Sequence, residues 1–268
     1  MNTLLLSVDV EEWFMAENVK PYCAGADVDR ANHSSMGAFA DLLTVFRELG
    51  VNATLFVVSE LLSDPECFKL LRLAVQDGHE IASHSKTHQI LTGLSSTETF
   101  VEVAHSKRAL EVALDVEVSG FRSPCFTTNA HLDQCLLDSG YAYTSNGIEA
   151  SLHDRYGQTA FSGRLVDFAI PCFRLFGLKI PATGGGWFRL FPLWLQKLML
   201  QNEDPVVFYC HPWDFDFQQP VLATMPVFTR LRHTVNNRGA RRKLINLIGS
   251  FAKCETYLSY YHRIESRS

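Results

Sequence analysis

The chain has 268 residues, 47% of them apolar, which is enough to bury the core of one α/β domain or of two smaller ones. A formal net charge of −5 argues against a surface that binds nucleic acid. No apolar run is long enough to span a bilayer, and we expect no signal peptide because no basic segment precedes an apolar run. The seven cysteines lack CxxC spacing, as is typical of a reducing compartment, so a cytoplasmic location is expected.

The first predicted element is a buried strand that ends in acidic residues. Residues 4–8 form an apolar run, and Asp9, Glu11 and Glu12 follow it. Carboxylates at the C-terminal end of a core strand are typical of reactive sites in α/β folds. Because a buried carboxylate is costly without a cation or a metal beside it, the sequence predicts partners elsewhere in the chain. The alternative is that these acids only cap a following helix.

Helical and β-rich patterns alternate after a predicted loop over residues 15–34. Predicted helices cover residues 36–49, 61–76, 95–114 and 130–139, and predicted strands cover residues 53–58, 80–83, 116–121, 141–145 and 205–210. This alternation predicts parallel strands with helical crossovers, in an open doubly wound sheet or in a barrel. Polar residues at the ends of several strands favour the barrel, because all its strand ends face one mouth.

No linker, low-complexity run or repeat divides the chain. We therefore predict a single barrel domain over residues 1–268, with residues 218–268 as a C-terminal helical extension. That extension carries a basic cluster, which indicates a solvated face or a weak contact with a diphosphate carrier or an anionic membrane surface. The cluster consists of Arg230, Arg232, Arg238, Arg241, Arg242 and Lys243.

Two histidines follow the predicted strand over residues 80–83. His84 and His88 are four residues apart, and in a helical turn such residues share a face, so both imidazoles can reach one ion. With Glu11 or Asp9 they form a metal site of two histidines and one carboxylate. A helical surface can also hold two such histidines without an ion, but their place after a strand favours the metal.

Two later segments contribute charged residues at strand ends. Arg122 can hold a carboxylate bidentately and keep it ionised, although an ordinary surface arginine in a turn fits this segment as well. His211 ends another apolar strand and can serve as a general acid or as a metal ligand. Asp214 or Asp216 could orient His211 and raise its pKa.

Taken together, these motifs resemble those of the polysaccharide deacetylases, the family 4 carbohydrate esterases with the nodulation-type deacetylase fold. The resemblance covers residues 4–217 in the correct order, and residues 180–192 resemble the branch associated with bacterial exopolysaccharide and surface-polysaccharide synthesis. It rests on Asp9-Val10-Glu11, His84-Ser85-Lys86-Thr87-His88, Arg122-Ser123-Pro124 and Phe208-Tyr209-Cys210-His211-Pro212-Trp213. The resemblance implies a deformed (β/α) barrel, with seven parallel strands and helices outside, and one divalent metal ion, which we expect to be Zn²⁺.

The resemblance also implies roles for individual residues. Glu11, His84 and His88 would hold the metal, and Asp9, aimed by Arg122, would take a proton from the attacking water. The backbone N–H of Cys125 would stabilise the oxyanion, and His211 would protonate the departing amine. Trp187 and Trp213 could stack on sugar rings, although core packing explains such tryptophans equally well.

The chain departs from the family pattern at several positions. Val10 stands where many relatives carry a second Asp, and Cys125 replaces a commoner aromatic residue or serine. The segment Tyr143–Asn146 lacks an Asp that close relatives have, which leaves the tuning of His211 open. Gly184-Gly185-Gly186 does not open a helix after a strand in the predicted pattern, so a tight loop near the mouth is expected rather than a phosphate site.

The sequence therefore predicts an amide hydrolase that removes acetyl or formyl from an amino sugar in bacterial surface-polysaccharide synthesis, such as exopolysaccharide or lipopolysaccharide O-antigen. We expect the protein in the cytoplasm, or at the cytoplasmic surface of the inner membrane as an alternative. This location favours a nucleotide- or lipid-linked substrate. One alternative is a small cyclic amide or ureide hydrolase of the allantoinase-like kind. Another is a carbohydrate-binding module without catalysis, against which the intact set of charged residues argues.

Overall fold

The computed structural model describes residues 3–23, 33–148 and 163–267 of the chain. The strands are β1 (Thr3–Val10), β2 (Thr54–Val57), β3 (Glu80–Ser83), β4 (Gly120–Phe121), β5 (Tyr143–Thr144), β6 (Val166–Asp167), β7 (Cys172–Leu175), β8 (Leu178–Pro181), β9 (Val206–Cys210) and β10 (Lys253–Glu255). The helices are α1 (Lys20–Cys23), α2 (Met36–Leu49), α3 (Pro65–Gln76), α4 (Ser96–Phe100), α5 (Ser106–Leu114), α6 (Leu132–Asp138), α7 (Gly185–Leu190), α8 (Leu193–Met199), α9 (Val227–Thr234), α10 (Asn237–Ile248) and α11 (Tyr257–Glu265).

Seven parallel strands follow one another in the order β9-β1-β2-β3-β4-β5-β6 and curl into a half-barrel with helices around it. The predicted deformed (β/α) barrel is thereby confirmed. Strand β10 pairs in parallel with the first residues of β1, and β7 with β8 forms a separate antiparallel hairpin. Helical crossovers between parallel strands place the carboxyl ends of the strands at one mouth.

Strand β1 lies between β9 and β2, and all eight of its residues are buried. Side chains alternate between the two faces of a strand. Leu4, Leu6, Val8 and Val10 pack with the surrounding helices in the main apolar cluster. Leu5 instead packs in a second, inner cluster with aromatic rings from other strands. The alternation assigns the inner face to Asp9 as well, because it lies an even number of positions from Leu5.

Most of the predicted elements are present in the structure, but several differ in extent. The helix predicted over 95–114 contains a π-helical segment at Val101–His105, which separates α4 from α5. The helix predicted from residue 61 begins at Pro65, because Asp64 caps it and a 3₁₀ turn precedes it. The strand predicted over 116–121 is reduced to Gly120–Phe121. Part of the loop predicted over residues 15–34 lies outside the described residues.

The tight loop predicted for the three consecutive glycines is wrong. Strand β8 ends at Pro181 and helix α7 begins at Gly185, with Gly184 at φ +89° just before it. A Cβ at Gly184 would lie 1.9 Å from the ring of Tyr209, so only glycine permits this close approach of the backbone. The absence of a side chain at Gly184 therefore lets helix α7 begin against strand β9.

Across the described residues, no helix has both the length and the apolar character needed to cross a membrane. Residues 218–267 contribute helices α9, α10 and α11 and also strand β10, which pairs with β1. The division into a barrel and a C-terminal extension stays a prediction.

Candidate active site

The site begins with Asp9 on β1 and the arginine that contacts it. Nη1 of Arg122 donates to Asp9 Oδ1 at 2.5 Å, and both side chains are buried. Arg122 follows β4, so the contact joins the ends of β1 and β4 through two residues that are 113 positions apart in the chain. Burial by itself lowers the pKa of the Arg122 guanidinium, but Asp9 and Tyr257 outweigh it and raise that pKa above its usual value.

Arg122 is held in place by hydroxyl groups and aromatic faces. It donates to Ser7 Oγ (3.0 Å), to Ser145 Oγ (2.8 Å) and to the Tyr257 hydroxyl (2.9 Å). Its guanidinium carbon lies 4.0 Å from the centre of the Phe56 ring. No motif in the sequence marks Tyr257, which opens α11, because its partner Arg122 lies 135 residues away in the chain.

Glu11, His84 and His88 form the candidate metal set. One ligand atom from each of these buried residues lies within 4.8 Å of the others. Burial is the largest influence on the His84 imidazole and lowers its pKa to about 4, which keeps it in the neutral form that a metal requires. Burial raises the pKa of the Glu11 carboxyl, but the surrounding histidines, His88 above all, outweigh it and lower that pKa to about 2.

The contacts inside this set fit a bound cation. Within the described part of the chain, Glu11 Oε2 makes no hydrogen bond, although it lies 2.5 Å from Nε2 of His88. A buried carboxylate oxygen without a hydrogen bond is costly, and a metal between these groups would remove that cost. His84 Nδ1 is bonded to the carbonyl of Arg122 at 2.8 Å, which leaves Nε2 for the metal.

The histidines converge through a loop and not through the predicted helical turn, so that part of the prediction is wrong. Ser85 and His88 both adopt left-handed backbone conformations, with φ +68° and +59°. Glu102 holds the loop, because its carboxylate accepts from the backbone N–H groups of Lys86 (3.0 Å) and Thr87 (2.9 Å). Side-chain hydrogen bonds, and not helical spacing, therefore bring the two imidazoles together.

His211 faces the two carboxylates from the opposite side of the mouth. Its Nε2 lies 3.9 Å from Asp9 Oδ2 and 3.6 Å from Glu11 Oε1. Its Nδ1 contacts Asp214 Oδ2 at 2.8 Å, and the same oxygen accepts from the backbone N–H of His211. Burial by itself lowers the pKa of His211, but Asp214 outweighs it, and the pKa rises to about 9.

A buried arginine supports this pair from behind. Nε of Arg189 donates to Asp214 Oδ1 at 2.8 Å, and its Nη atoms donate to the carbonyls of His233, Val235 and Arg232. Arg189 belongs to α7, which the sequence analysis did not predict, so it could not be recognised. The result is a relay of three side chains from Arg189 through Asp214 to His211.

Two acidic residues considered in the sequence analysis have other partners. Asp216 contacts Nε2 of His33 at 2.5 Å, so the structure brings Asp214, and not Asp216, to His211. Glu12 accepts from Ser34 Oγ (2.5 Å) and from the backbone N–H of Ser35 (2.8 Å), where α2 begins. The helix-capping interpretation thus fits Glu12, whereas Asp9 and Glu11 belong to the site.

These residues line a cavity of about 130 Å³. Its wall includes Asp9, Glu11, His84, His88 and His211, together with Cys125, Trp187 and Trp213. The Trp213 ring stacks on the His211 ring with centroids 4.3 Å apart, and Trp213 Nε1 donates to Glu11 Oε1 at 3.1 Å. One face of Trp213 is therefore covered by His211, whereas Trp187 is half-buried and stacks on Phe191.

The comparisons with known sequences divide the site between two family models. A polysaccharide deacetylase model matches residues 32–144, which include His84, His88 and Arg122. A domain of unknown function, DUF3473, matches residues 142–258, which include His211 and Tyr257. Chitin deacetylase 2 of Cryptococcus neoformans var. grubii is 32% identical over 106 residues, which are 39% of this chain and 22% of that protein. Chitin deacetylase 1 of the same organism is 32% identical over 84 residues, 31% and 17% of the two chains. The matches thus span about a fifth of the length of these curated relatives.

Solved structures share the fold. A candidate polysaccharide deacetylase from Mycobacterium smegmatis is 18% identical, with a TM-score of 0.63 over 99% of this chain and 90% of that one. A family 4 acetyl xylan esterase from Clostridium thermocellum, with cobalt, is 14% identical, with a TM-score of 0.52 over 99% and 92%. A family 4 pseudoenzyme from Bacillus anthracis is 11% identical, with a TM-score of 0.55 over 97% and 65%. At such identities the likeness establishes the fold alone.

Proposed function

Because the chain belongs to the polysaccharide deacetylase family, we propose that it is a metal-dependent de-N-acetylase of an N-acetylated amino sugar. The observation that carries this proposal is the convergence of three functional groups on one cavity. These groups are the Asp9–Arg122 pair, the Glu11–His84–His88 set and His211 with Asp214 behind it. A base, a metal set and an acid together are what hydrolysis of an amide requires.

Glu11, His84 and His88 would hold the metal, for which we propose Zn²⁺, since two imidazoles and one carboxylate suit it. When bound, the ion supplies Lewis acidity to the acetyl carbonyl and to water. Asp9 accepts the proton of the attacking water, and Arg122 holds the Asp9 carboxylate in the required orientation. The backbone N–H of Cys125, which lines the same cavity, donates to the oxyanion that develops on the carbonyl.

His211 provides the proton for the leaving group. An amine leaves only once it is protonated, so an acid must stand beside the breaking C–N bond. Asp214 keeps the His211 imidazolium protonated to higher pH, and Arg189 holds Asp214. The proton taken by Asp9 replaces the one lost by His211 over the cycle, and the products are acetate and a free amino sugar.

The small cavity supports a substrate that inserts only its acetamido group. A volume of about 130 Å³ is well below the 300–1,000 Å³ that encloses a whole ligand. The sugar itself would then lie at the mouth, where Trp187 is half-buried. A formamido group would also fit into this cavity, and we propose acetyl as the acyl group that is removed. We propose a role in the synthesis of a bacterial surface polysaccharide, with a nucleotide- or lipid-linked precursor as substrate and the enzyme in the cytoplasm.

Acetate release from a panel of N-acetylated amino sugars, free and carrier-linked, tests the reaction. We expect release from at least one linked sugar, and its loss on treatment with a chelator. Hydrolysis of cyclic ureides alone would support the allantoinase-like alternative. No hydrolysis of any substrate by metal-loaded protein would support a binding module.

The metal set is tested by His84→Ala combined with His88→Ala, in which the bound divalent ion should be lost. The matched control replaces two exposed histidines, His105 and His131, by alanine, and its metal content should equal that of the wild type. Full occupancy in the first double variant would contradict the assigned ligands.

A further inference from the structure

Helix α9 is amphipathic, but its apolar face is exposed to solvent and not packed against the core. Val227, Phe228 and Leu231 are 80%, 77% and 61% exposed. At roughly 100° per residue these three side chains fall within an arc of about 100°. His233, on the opposite side of the helix, is buried. Large apolar side chains grouped on one exposed face indicate an interaction surface, not scattered surface residues.

Positive charge surrounds this apolar face. By the same helical geometry, Arg230 and Arg232 lie on its two flanks. Between residues 217 and 252 the sequence has six of the chain's 24 Lys and Arg residues and none of its 29 acids, a formal charge of +6. The remainder, with 18 cations and 29 acids, carries −11. Four of these six side chains, those of Arg232, Arg238, Arg241 and Arg242, are exposed, whereas Lys243 is buried.

The face also adjoins the mouth of the active site. Arg232 and His233 line the same cavity as Asp9 and His211. A Cβ at Gly186, beside Trp187, would come within 3.8 Å of the Arg232 side chain. Whatever covers α9 therefore lies next to the opening through which substrate enters.

We propose that α9 lies on an anionic lipid bilayer and holds the active-site mouth at the surface where a lipid-linked amino sugar is presented. An aromatic and two aliphatic side chains flanked by arginines have the composition of a helix that rests in the interfacial layer. Clustered arginines are attracted to the negative potential of anionic lipids. The remainder of the chain is negatively charged and is repelled by the same lipids. The identification of the substrate carrier rests on the proposed deacetylase function, but the binding of α9 to lipid does not.

Flotation with vesicles tests the contact without using the reaction. We expect the protein to bind vesicles of phosphatidylcholine mixed with phosphatidylglycerol, to bind vesicles of phosphatidylcholine much less, and to be released by added salt. Phe228→Ser with Leu231→Ser should weaken the binding by about tenfold or more. The matched control is Val112→Ser, which removes an apolar side chain of similar exposure (76%) from α5 and should bind as the wild type does.

A second variant keeps the test decisive if α9 loses its helical structure. Arg238→Glu leaves the apolar face unchanged and reverses one exposed charge, and it should weaken binding only to the anionic vesicles. Equal binding to both kinds of vesicle, or binding unaffected by the α9 substitutions, would overturn the proposal. So would a wild-type dimer in gel filtration that the α9 substitutions dissociate without any vesicle binding, since the face would then join two copies of the chain.

Discussion

Asp9 and Glu11 lie two positions apart, but their contacts differ. Asp9 contacts the Arg122 guanidinium, whereas Glu11 contacts His88 and the Trp213 indole. A carboxylate fixed by a cation has one oxygen available for a proton, and a carboxylate among imidazoles is suited to a metal. The contacts therefore favour Asp9 as the base and Glu11 as the ligand.

Replacement of Asp9 tests this assignment. Asp9→Asn should lower turnover by roughly 10²–10⁴-fold, the range for loss of a general base, while the metal stays bound. Turnover, metal content and thermal unfolding should be measured together, because the variant leaves Arg122 without its carboxylate. Glu12→Gln is the control and should stay close to wild-type activity, since Glu12 contacts Ser34 and Ser35. Nearly normal turnover of Asp9→Asn would place the base elsewhere.

The acid role proposed for His211 can be tested with two kinds of leaving group. His211→Ala should strongly reduce hydrolysis of an amide but spare an activated ester, because a phenolate leaves without prior protonation. The measurement is the ratio of amide to ester turnover in wild type and variant. Equal losses on both substrates would make His211 a binding residue and not the acid.

The carboxylate behind His211 predicts a change in pH dependence. Burial lowers the pKa of His211, but the nearby carboxylates, Asp214 above all, raise it to about 9, so the imidazolium, the acid form, persists to that pH. Asp214→Asn should lower this pKa, and the fall in turnover at alkaline pH should begin at lower pH. Asp216→Asn is the matched control, since Asp216 contacts His33. A similar shift in both variants would contradict the relay from Arg189 through Asp214.

At the scale of elements, the π-helical segment between α4 and α5 positions the loop between His84 and His88. The segment contains Glu102, whose carboxylate also accepts from the Thr87 hydroxyl at 2.7 Å. Ser106, the next residue after the segment, donates to the carbonyl of Ser85 at 2.9 Å. A π turn widens the helix locally and often marks a functional position. Here two side chains from one side of the helix reach the loop that carries His84 and His88.

Glu102→Gln should lower metal affinity by about 10–100-fold, the usual effect of losing a residue that orients the ligands. The amide keeps only one acceptor oxygen, so it cannot accept from the two backbone N–H groups and from the Thr87 hydroxyl together, as the carboxylate does. Glu98→Gln is the matched control one turn earlier, where the side chain accepts from Ser95 at the helix cap. Competition with a chromophoric chelator measures the affinities. Equal affinities in both variants would show that the loop holds its shape without Glu102.

The sequence predicts reactive residues that lie at the ends of buried strands. It does not predict residues that act through hydrogen bonds to distant parts of the chain. Asp9, His84 and His211 could be predicted because each lies at or just after the carboxyl end of a predicted strand. Arg189 and Tyr257 could not, because each acts through hydrogen bonds to residues far away in sequence. The loop at His84 was predicted as a helical turn because spacing alone does not reveal the left-handed residues within it.

At the scale of the whole molecule, residues beyond 252 are part of the barrel wall and of the site. Strand β10 pairs with Thr3, Leu4 and Leu5 of β1. Tyr257 is fully buried, and its ring packs against Phe56 with centroids 5.5 Å apart. Its hydroxyl contacts Ser7 and Arg122. Strand β1, which carries Asp9, thus pairs with β10 and is hydrogen-bonded through Ser7 to Tyr257, and both partners belong to the last part of the chain.

A chain that ends after residue 252 should therefore lose cooperative unfolding, because β1 would lose a paired strand and the inner cluster would lose the Tyr257 ring. Tyr257→Phe should keep the fold, since the ring remains, but lower the free energy of unfolding by about 1–3 kcal/mol and reduce turnover, because Arg122 and Ser7 lose a buried partner. A chain that ends after Glu265 is the control and should unfold as the wild type does. Circular dichroism on heating measures all three. Cooperative unfolding at the wild-type temperature by the chain ending at residue 252 would make the last residues an appended extension, as the sequence first suggested.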